Sequence, residues 1–399
     1  MSKRFWMTGN NSISQNSGIN TLRGISILSV ILLHINIRVP FSETLLGSSL
    51  PGMIYKVLFW SGFYGVCIFF VISGFLITTS ALNKWGSLPD IKPAGFYSMR
   101  FARIIPLLVA LLAVLSFLHL KGINGFVINP EQTSLGRSIF AALTFHINLL
   151  EIQTGYLPGA WDILWSLSIE EVFYLFFPLL CFLIRKEWQF IAIMSVFLII
   201  SPFARTFLSV GNELSDRNYL AYMDAIALGC IAAMTTRRIN LNKVSLNVIA
   251  LTGWGLFLLV FVFRTFVYNI GLTKLGLNIS ILSIGTALIL IWMQKRHLIG
   301  ELKPSPFTGL LRFMGRNSYE VYLTHMFVVF ILVEIFNFLK FDGEWTWLLY
   351  FSVILISGIL GELVARYFSN PVNVALRKKF KYSGTSSTIL PRSSNSNQV

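Results

Sequence analysis

Residues 22–38 read Leu22-Arg-Gly-Ile-Ser-Ile-Leu-Ser-Val-Ile-Leu-Leu-His34-Ile-Asn-Ile-Arg38, an apolar run long enough to cross a bilayer that nevertheless carries Arg23 near its start and His34 eleven residues later. Ionisable groups in hydrocarbon are costly, and their default reading is functional. At about 100° per residue, eleven residues close three helical turns to within roughly 20°, so the two side chains share a face about 16 Å apart along the axis. Such a helix holds a cation near a membrane surface and an imidazole deep inside. That suits a large anionic donor gripped at the mouth, with chemistry further in.

The rest of the chain has the same character. Of its 399 residues 55% are hydrophobic and 12% charged, and the mean hydropathy is +0.69, far from a soluble domain. Runs that match about 30 Å of hydrocarbon lie near 22–38, 57–80, 102–120, 165–184, 189–208, 218–235, 246–268, 277–293, 317–339 and 346–369. The pattern predicts an all-α bundle of about ten transmembrane helices. A weaker amphipathic stretch near 137–150 reads as re-entrant or interfacial.

The net charge of +15 invites a nucleic-acid reading, but the basic residues follow the membrane. With the N-terminus inside, 23 Lys and Arg fall on the inner side and 9 elsewhere. This positive-inside bias puts both termini in the cytoplasm, and nucleic acid is not an expected partner. Residues 1–20 form a polar cytoplasmic segment without the short apolar core of a cleaved signal peptide. Residues 21–370 form the membrane domain, and 371–399, basic and then Ser-rich, read as a disordered cytoplasmic tail. Cys67, Cys181 and Cys230 sit in apolar runs without paired spacing, so neither a disulfide framework nor a metal site is expected.

Four polar clusters break the apolar pattern. Arg23 with His34 is the first, and its structural alternative is a snorkelling arginine beside a helix-bridging histidine. The second is Arg100-Phe-Ala-Arg103, at the inner entrance of the third run. Two arginines three apart share a face and suit a polyphosphate, although topology alone also favours arginine there. The third is Trp161-Asp162 with Trp165-Ser-Leu-Ser-Ile-Glu-Glu-Val-Phe-Tyr174. Its Glu170 and Glu171 lie on the first turns of a helix, where the dipole tolerates carboxylates. Either an aromatic belt with N-terminal acids explains them, or one of them, or a serine, orients a sugar hydroxyl or the imidazole. The fourth is Gly315-Arg-Asn-Ser-Tyr-Glu-Val-Tyr-Leu-Thr-His325, whose Ser318, Tyr322 and His325 make one polar stripe. Val71-Ile-Ser-Gly-Phe-Leu-Ile77 is a small-residue break that lets helices approach closely. Asp224 lies inside the sixth run, and Arg217, seven residues earlier, could share a helical face with it.

In this order the clusters resemble acyltransferase family three, integral membrane enzymes that modify surface polysaccharides and related sugars. The resemblance covers about residues 20–370 and rests on Thr-Leu-Arg23-Gly-Ile with His34, Phe69-Phe-Val-Ile-Ser-Gly-Phe75, Arg100-x-x-Arg103, Trp165-Ser-Leu-Ser-Ile-Glu-Glu171 and Gly315-x-x-Ser318-Tyr319-x-x-Tyr322-Leu-x-His325. Val172 and Met326 depart from it, where glutamine and proline are frequent.

The resemblance implies transfer of an acyl group, expected to be acetyl, from cytoplasmic acyl coenzyme A to a hydroxyl of a surface glycan or lipid-linked sugar. It places the protein in the bacterial inner membrane. Arg23, Arg100 and Arg103 would hold the donor phosphates, and His34 would act as general base or transient acyl acceptor. Glu170 or Glu171 would orient the imidazole or the sugar, and Tyr322 and His325 would stabilise the oxyanion. Some relatives carry an additional extracytoplasmic esterase-like domain that this sequence lacks. Either the bundle completes the transfer or a separate extracytoplasmic partner does. The rival readings are a proton-coupled transporter or flippase built on His34, Asp224 and the glutamates, and a non-catalytic scaffold.

Overall fold

The computed structural model describes residues 16–208 and 217–383, and every regular element among them is helical. Hydrocarbon offers no hydrogen bonds, so a spanning segment must satisfy its own backbone, and a helix does so within one stretch of chain. Among the described residues ten helices are long and apolar enough to cross a membrane. Their main helices are α1 (Ser17–Asn36), α2 (Gly62–Trp85), α3 (Pro93–Leu120), α4 (Leu164–Leu183), α5 (Glu187–Phe207), α6 (Met223–Arg238), α7 (Lys243–Phe261), α8 (Leu277–Leu298), α9 (Ser318–Phe338) and α10 (Thr346–Val364), with the fourth, sixth and tenth spans extending over Gly159–Leu183, Tyr219–Arg238 and Gly343–Phe380. After the π-helical turn Ala365–Ser369 the chain continues as α11 (Asn370–Ser383).

All ten apolar runs are helices, but several ends differ from the sequence expectation. α3 starts nine residues early, with Pro93 in its first turn, where a missing N–H costs nothing and the fixed φ favours a helix. Arg100 and Arg103 therefore sit inside the helix rather than at its entrance. α1 starts within the expected polar segment, because the Asn16 side chain accepts from Gly18 N (3.0 Å) and Ile19 N (3.2 Å). The same amide donates to Gln294 Oε1 of α8 (2.9 Å), so one residue caps α1 and docks it. The expected disordered tail is helical as far as Ser383. Residues 1–15 and the remainder of the tail lie outside the described residues. The stretch near 137–150 forms two short helices, Leu135–Leu143 and Ile147–Thr154.

Lipid supplies no hydrophobic drive between helices, so close backbone approach holds the bundle together. α2 crosses α6 at paired glycines. A Cβ on Gly74 would lie 2.0 Å from Ile226 O, and one on Gly229 would lie 2.0 Å from Val71 O. The small-residue break in Val71–Ile77 is thus a helix crossing. A second glycine pair joins α1 to the short helix Gly309–Arg316. A Cβ on Gly24 would meet Leu311 O at 2.0 Å, and one on Gly315 would meet Asn20 O at 1.9 Å.

Asp224 does not pair with Arg217. Arg205 of α5 holds it bidentately, with Nη1–Oδ1 2.9 Å and Nη2–Oδ2 2.8 Å, and also donates to Ser280 Oγ of α8 at 2.7 Å. Both side chains are buried, and such a pair survives only when its remaining polar atoms are also bonded. Arg217 instead bridges Glu151 (2.5 Å) and Asp162 (2.6 Å). There, burial and the neighbouring Asp162 push the Glu151 carboxyl well above the usual carboxylate range, with Arg217 pulling it back. Burial acts against the Arg217 charge, but Asp162 and Glu151 outweigh it and hold that guanidinium above its ordinary value.

Gly74→Val tests the crossing. Its new methyl groups would meet backbone, which cannot swing aside, so we expect a loss of about 2 kcal/mol or more and a clear fall in the Tm of the purified protein. Gly95→Ala, whose Cβ would meet nothing nearer than 3.7 Å, serves as control. Equal melting of both variants would remove the assigned packing role.

Candidate active site

A cavity of about 1610 Å³ opens at the end of the bundle that carries Arg23, Arg100 and Arg103. Its walls come from α1, α2, α3, α4, α9 and α11, so residues remote in sequence meet there. Arg23 donates from Nε to Ser318 Oγ (3.0 Å). Arg100 lies over the Tyr174 ring at 4.4 Å, a contact that leaves its N–H edges for an anion. Arg103 is bidentate on Glu320, at 2.7 Å and 3.3 Å. The three arginines predicted to share one ligand do line one space.

Glu170 and Glu171 line the same cavity. Glu170 accepts from Ser73 Oγ (2.6 Å) and from the Tyr174 hydroxyl. Glu171 is almost buried and makes no hydrogen bond among the described residues. The glutamates therefore belong to the arginine-lined space, and the expectation that one of them orients the imidazole is not met.

His34 has a different partner. Its Nδ1 lies 3.0 Å from Nε2 of the fully buried His325, and His325 Nδ1 lies 2.7 Å from the carbonyl oxygen of Tyr322. A carbonyl only accepts, so His325 carries its proton on Nδ1. With His325 neutral, Nε2 is then an acceptor, which puts the His34 proton on Nδ1 and leaves a lone pair on His34 Nε2. Two bonds thus fix the tautomers of two rings. Among the described residues no group of three His, Cys, Asp or Glu side chains arranged to hold a metal forms anywhere.

Tyr322 donates to Ile163 O (2.9 Å) and contacts Ser166 Oγ at 2.7 Å. Its proton, like that of His325, points at a carbonyl. Neither is a spare donor, so the oxyanion role expected of them is not available in this arrangement. Ser166, Tyr322 and Phe69 line the deep end of the cavity, whereas neither histidine lines it. Tyr322 sits one turn before His325 and separates the arginines from the imidazole pair.

Residues 16–367 match the acyltransferase domain that defines acyltransferase family three. The chain belongs to this family. It is 24% identical over 387 residues to the O-acetyltransferase OatA of Staphylococcus aureus strain NCTC 8325 / PS 47, covering 91% of this chain and 58% of that protein. OatA of strain COL matches to the same extent. SACOL0978 of Staphylococcus aureus strain COL is 28% identical over 376 residues, covering 89% of this chain and 56% of its own length. The chain thus spans a little over half the length of these relatives. No solved structure matches it.

Sequence reasoning missed two features of this site and its surroundings. Arg38, which donates to His34 O at 2.8 Å and stacks on Phe330 at 4.4 Å, sits four residues beyond His34 and was legible as the next polar residue on that face. Burial lowers its guanidinium below the ordinary value, with Asp162 partly restoring it. Arg205 gave no such signal, because its partner lies on another helix.

The tautomer assignment is testable without turnover. Histidine ¹⁵N shifts near pH 8, assigned with His34→Asn and His325→Asn, should place the proton of both rings on Nδ1. An Nε2–H tautomer at His34 would contradict the assignment.

Proposed function

We propose that this multi-pass membrane protein is an O-acyltransferase that carries an acetyl group from acetyl coenzyme A to a hydroxyl of a surface glycan or lipid-linked sugar in the bacterial inner membrane. The observation that carries the reading is the His34–His325 contact, which leaves a lone pair on His34 Nε2, with Tyr322 between it and an arginine-lined cavity. The family and the O-acetyltransferase relatives support the acyl chemistry. The positive-inside bias supports a cytoplasmic arginine end.

In this scheme the donor phosphates rest among Arg23, Arg100 and Arg103, and the pantetheine arm runs toward Tyr322. Passage to His34 requires the Ser166–Tyr322 pair to part. His34 Nε2 then takes the proton of the acceptor hydroxyl as its oxygen attacks the thioester carbonyl. The carbon–sulfur bond breaks, and the coenzyme A thiolate leaves and takes up the proton. His325 holds the imidazole in its productive tautomer throughout. In the alternative course Nε2 attacks the thioester first and passes the acyl group on. The final acceptor is met either in this bundle or on a separate extracytoplasmic partner.

Labelled acetyl coenzyme A offered to the purified protein with a panel of lipid-linked and polymeric sugars tests the scheme. His34→Ala should lower transfer by roughly 10²–10⁴-fold at unchanged membrane abundance, and near-normal transfer would exclude His34 from the chemistry. Arg100→Gln should raise the donor KM by about tenfold, as for loss of a charge-assisted bond, with a smaller effect on kcat. An unchanged KM would remove Arg100 from the donor site.

A further inference from the structure

The helix α11, which the sequence pattern leaves as tail, forms part of the cavity wall. Asn370, Asn373, Arg377 and Phe380 all line it. The Phe380 ring packs 6.1 Å from Phe101 of α3, which anchors the helix across the opening. Arg377 lies within electrostatic range of Arg100 and Arg103. Glu320 offsets Arg103, but Arg100 and Arg377 have no carboxylate partner among the described ion pairs, and repulsion between such like charges falls when an anion sits between them.

The cations are graded by depth. Arg23, Arg100 and Arg103 are partly buried, whereas Lys84, Arg316 and Arg377 are exposed at the rim. Against these six cations the described cavity wall carries two carboxylates, Glu170 and Glu171; Glu170 is already bonded to Ser73 and Tyr174, and Glu320, behind the wall, is taken up by Arg103. Asn373 adds an independent sign of a ligand. Its Oδ1 is buried and has no partner, a state that native proteins rarely leave uncompensated.

The order of groups along the donor assigns the rim. In coenzyme A the pyrophosphate lies between the pantetheine arm and the ribose, so with the thioester pointing inward the ribose 3′-phosphate is the outermost phosphate. The deep arginines match the pyrophosphate. The rim is left for a phosphomonoester of about two negative charges.

We propose that α11 is a strap over the donor site and that Arg377 binds the ribose 3′-phosphate of the acyl donor, with Asn373 accepting from the nucleoside beside it. The assignment rests on the acyl coenzyme A reading above and deepens it. It makes the protein selective for coenzyme A over its 3′-dephospho form.

Binding of coenzyme A and 3′-dephospho-coenzyme A to the full chain in phosphatidylcholine nanodiscs, measured by calorimetry, tests this. The wild type should prefer coenzyme A by about tenfold or more, and Arg377→Gln should erase the preference by weakening coenzyme A alone. Retained affinity of Arg377→Gln for the dephospho form shows that the variant is folded. Arg100→Gln should weaken both ligands. Equal wild-type affinity for the two ligands, undiminished preference in Arg377→Gln, or equal loss of both ligands in that variant would each overturn the assignment. A second set of discs containing phosphatidic acid separates the lipid source of a phosphomonoester. Stabilisation of the wild type by that lipid, lost in Arg377→Gln, without discrimination between the nucleotides, also overturns it. Failure of the wild type to bind either nucleotide would instead refute the donor reading itself.

Discussion

Hydrocarbon cannot hydrogen-bond, and the structure follows from how the backbone and the charged side chains of the bundle find partners despite that. Backbone groups are satisfied within helices. The helices then approach through glycines at Gly74, Gly229, Gly24 and Gly315, because lipid gives them no hydrophobic reason to associate. Side chains obey the same constraint. Arg205 and Asp224 are buried together with Ser280 on three helices, and removal of one member would leave an uncompensated charge, at a cost of about 3–5 kcal/mol. The histidine pair follows the same rule. Once the Tyr322 carbonyl claims the His325 Nδ1 proton, the protonation of His34 follows.

The cavity deals with its surplus positive charge by other means. Two unit charges 4 Å apart interact by about 1 kcal/mol in water and about 4 kcal/mol at the effective dielectric near a protein surface. Deep cations therefore need compensation, and they have it: Glu320 for Arg103 and the Tyr174 ring for Arg100. Rim cations are left to solvent, which screens them. The gradient from compensated to exposed cations gives the cavity a direction.

Much of the fold was legible from residue pattern alone. Ten apolar runs became ten helices, and the Gly-containing break at Val71–Ile77 became a crossing. Helix ends were less legible, since they depend on single residues such as Asn16 and Pro93 rather than on periodicity. The C-terminal helix was missed because its composition is polar. It is held by one edge against α3 and lines a cavity that no local pattern reveals. In the candidate site, Arg23, Arg100 and Arg103 were correctly grouped, because each lies near the same end of its own apolar run. Glu170 and Glu171 were offered either the imidazole or a sugar as partner, and the structure sets them among the arginines instead of beside His34, since their spacing fixes a helix face but not the helix opposite.

The sequence by itself determined that this chain is a helical membrane protein of about ten spans, and which polar clusters interrupt its apolar runs. Both follow from period and length, which are properties of one segment at a time. Only the tertiary structure decided that His34 meets His325 rather than a glutamate, that Asp224 answers Arg205 rather than Arg217, and that Tyr322 stands between the arginine-lined cavity and the imidazole. Those are contacts between segments. In hydrocarbon the pairing of polar groups is set by which helices pack side by side, and no single helix contains that information.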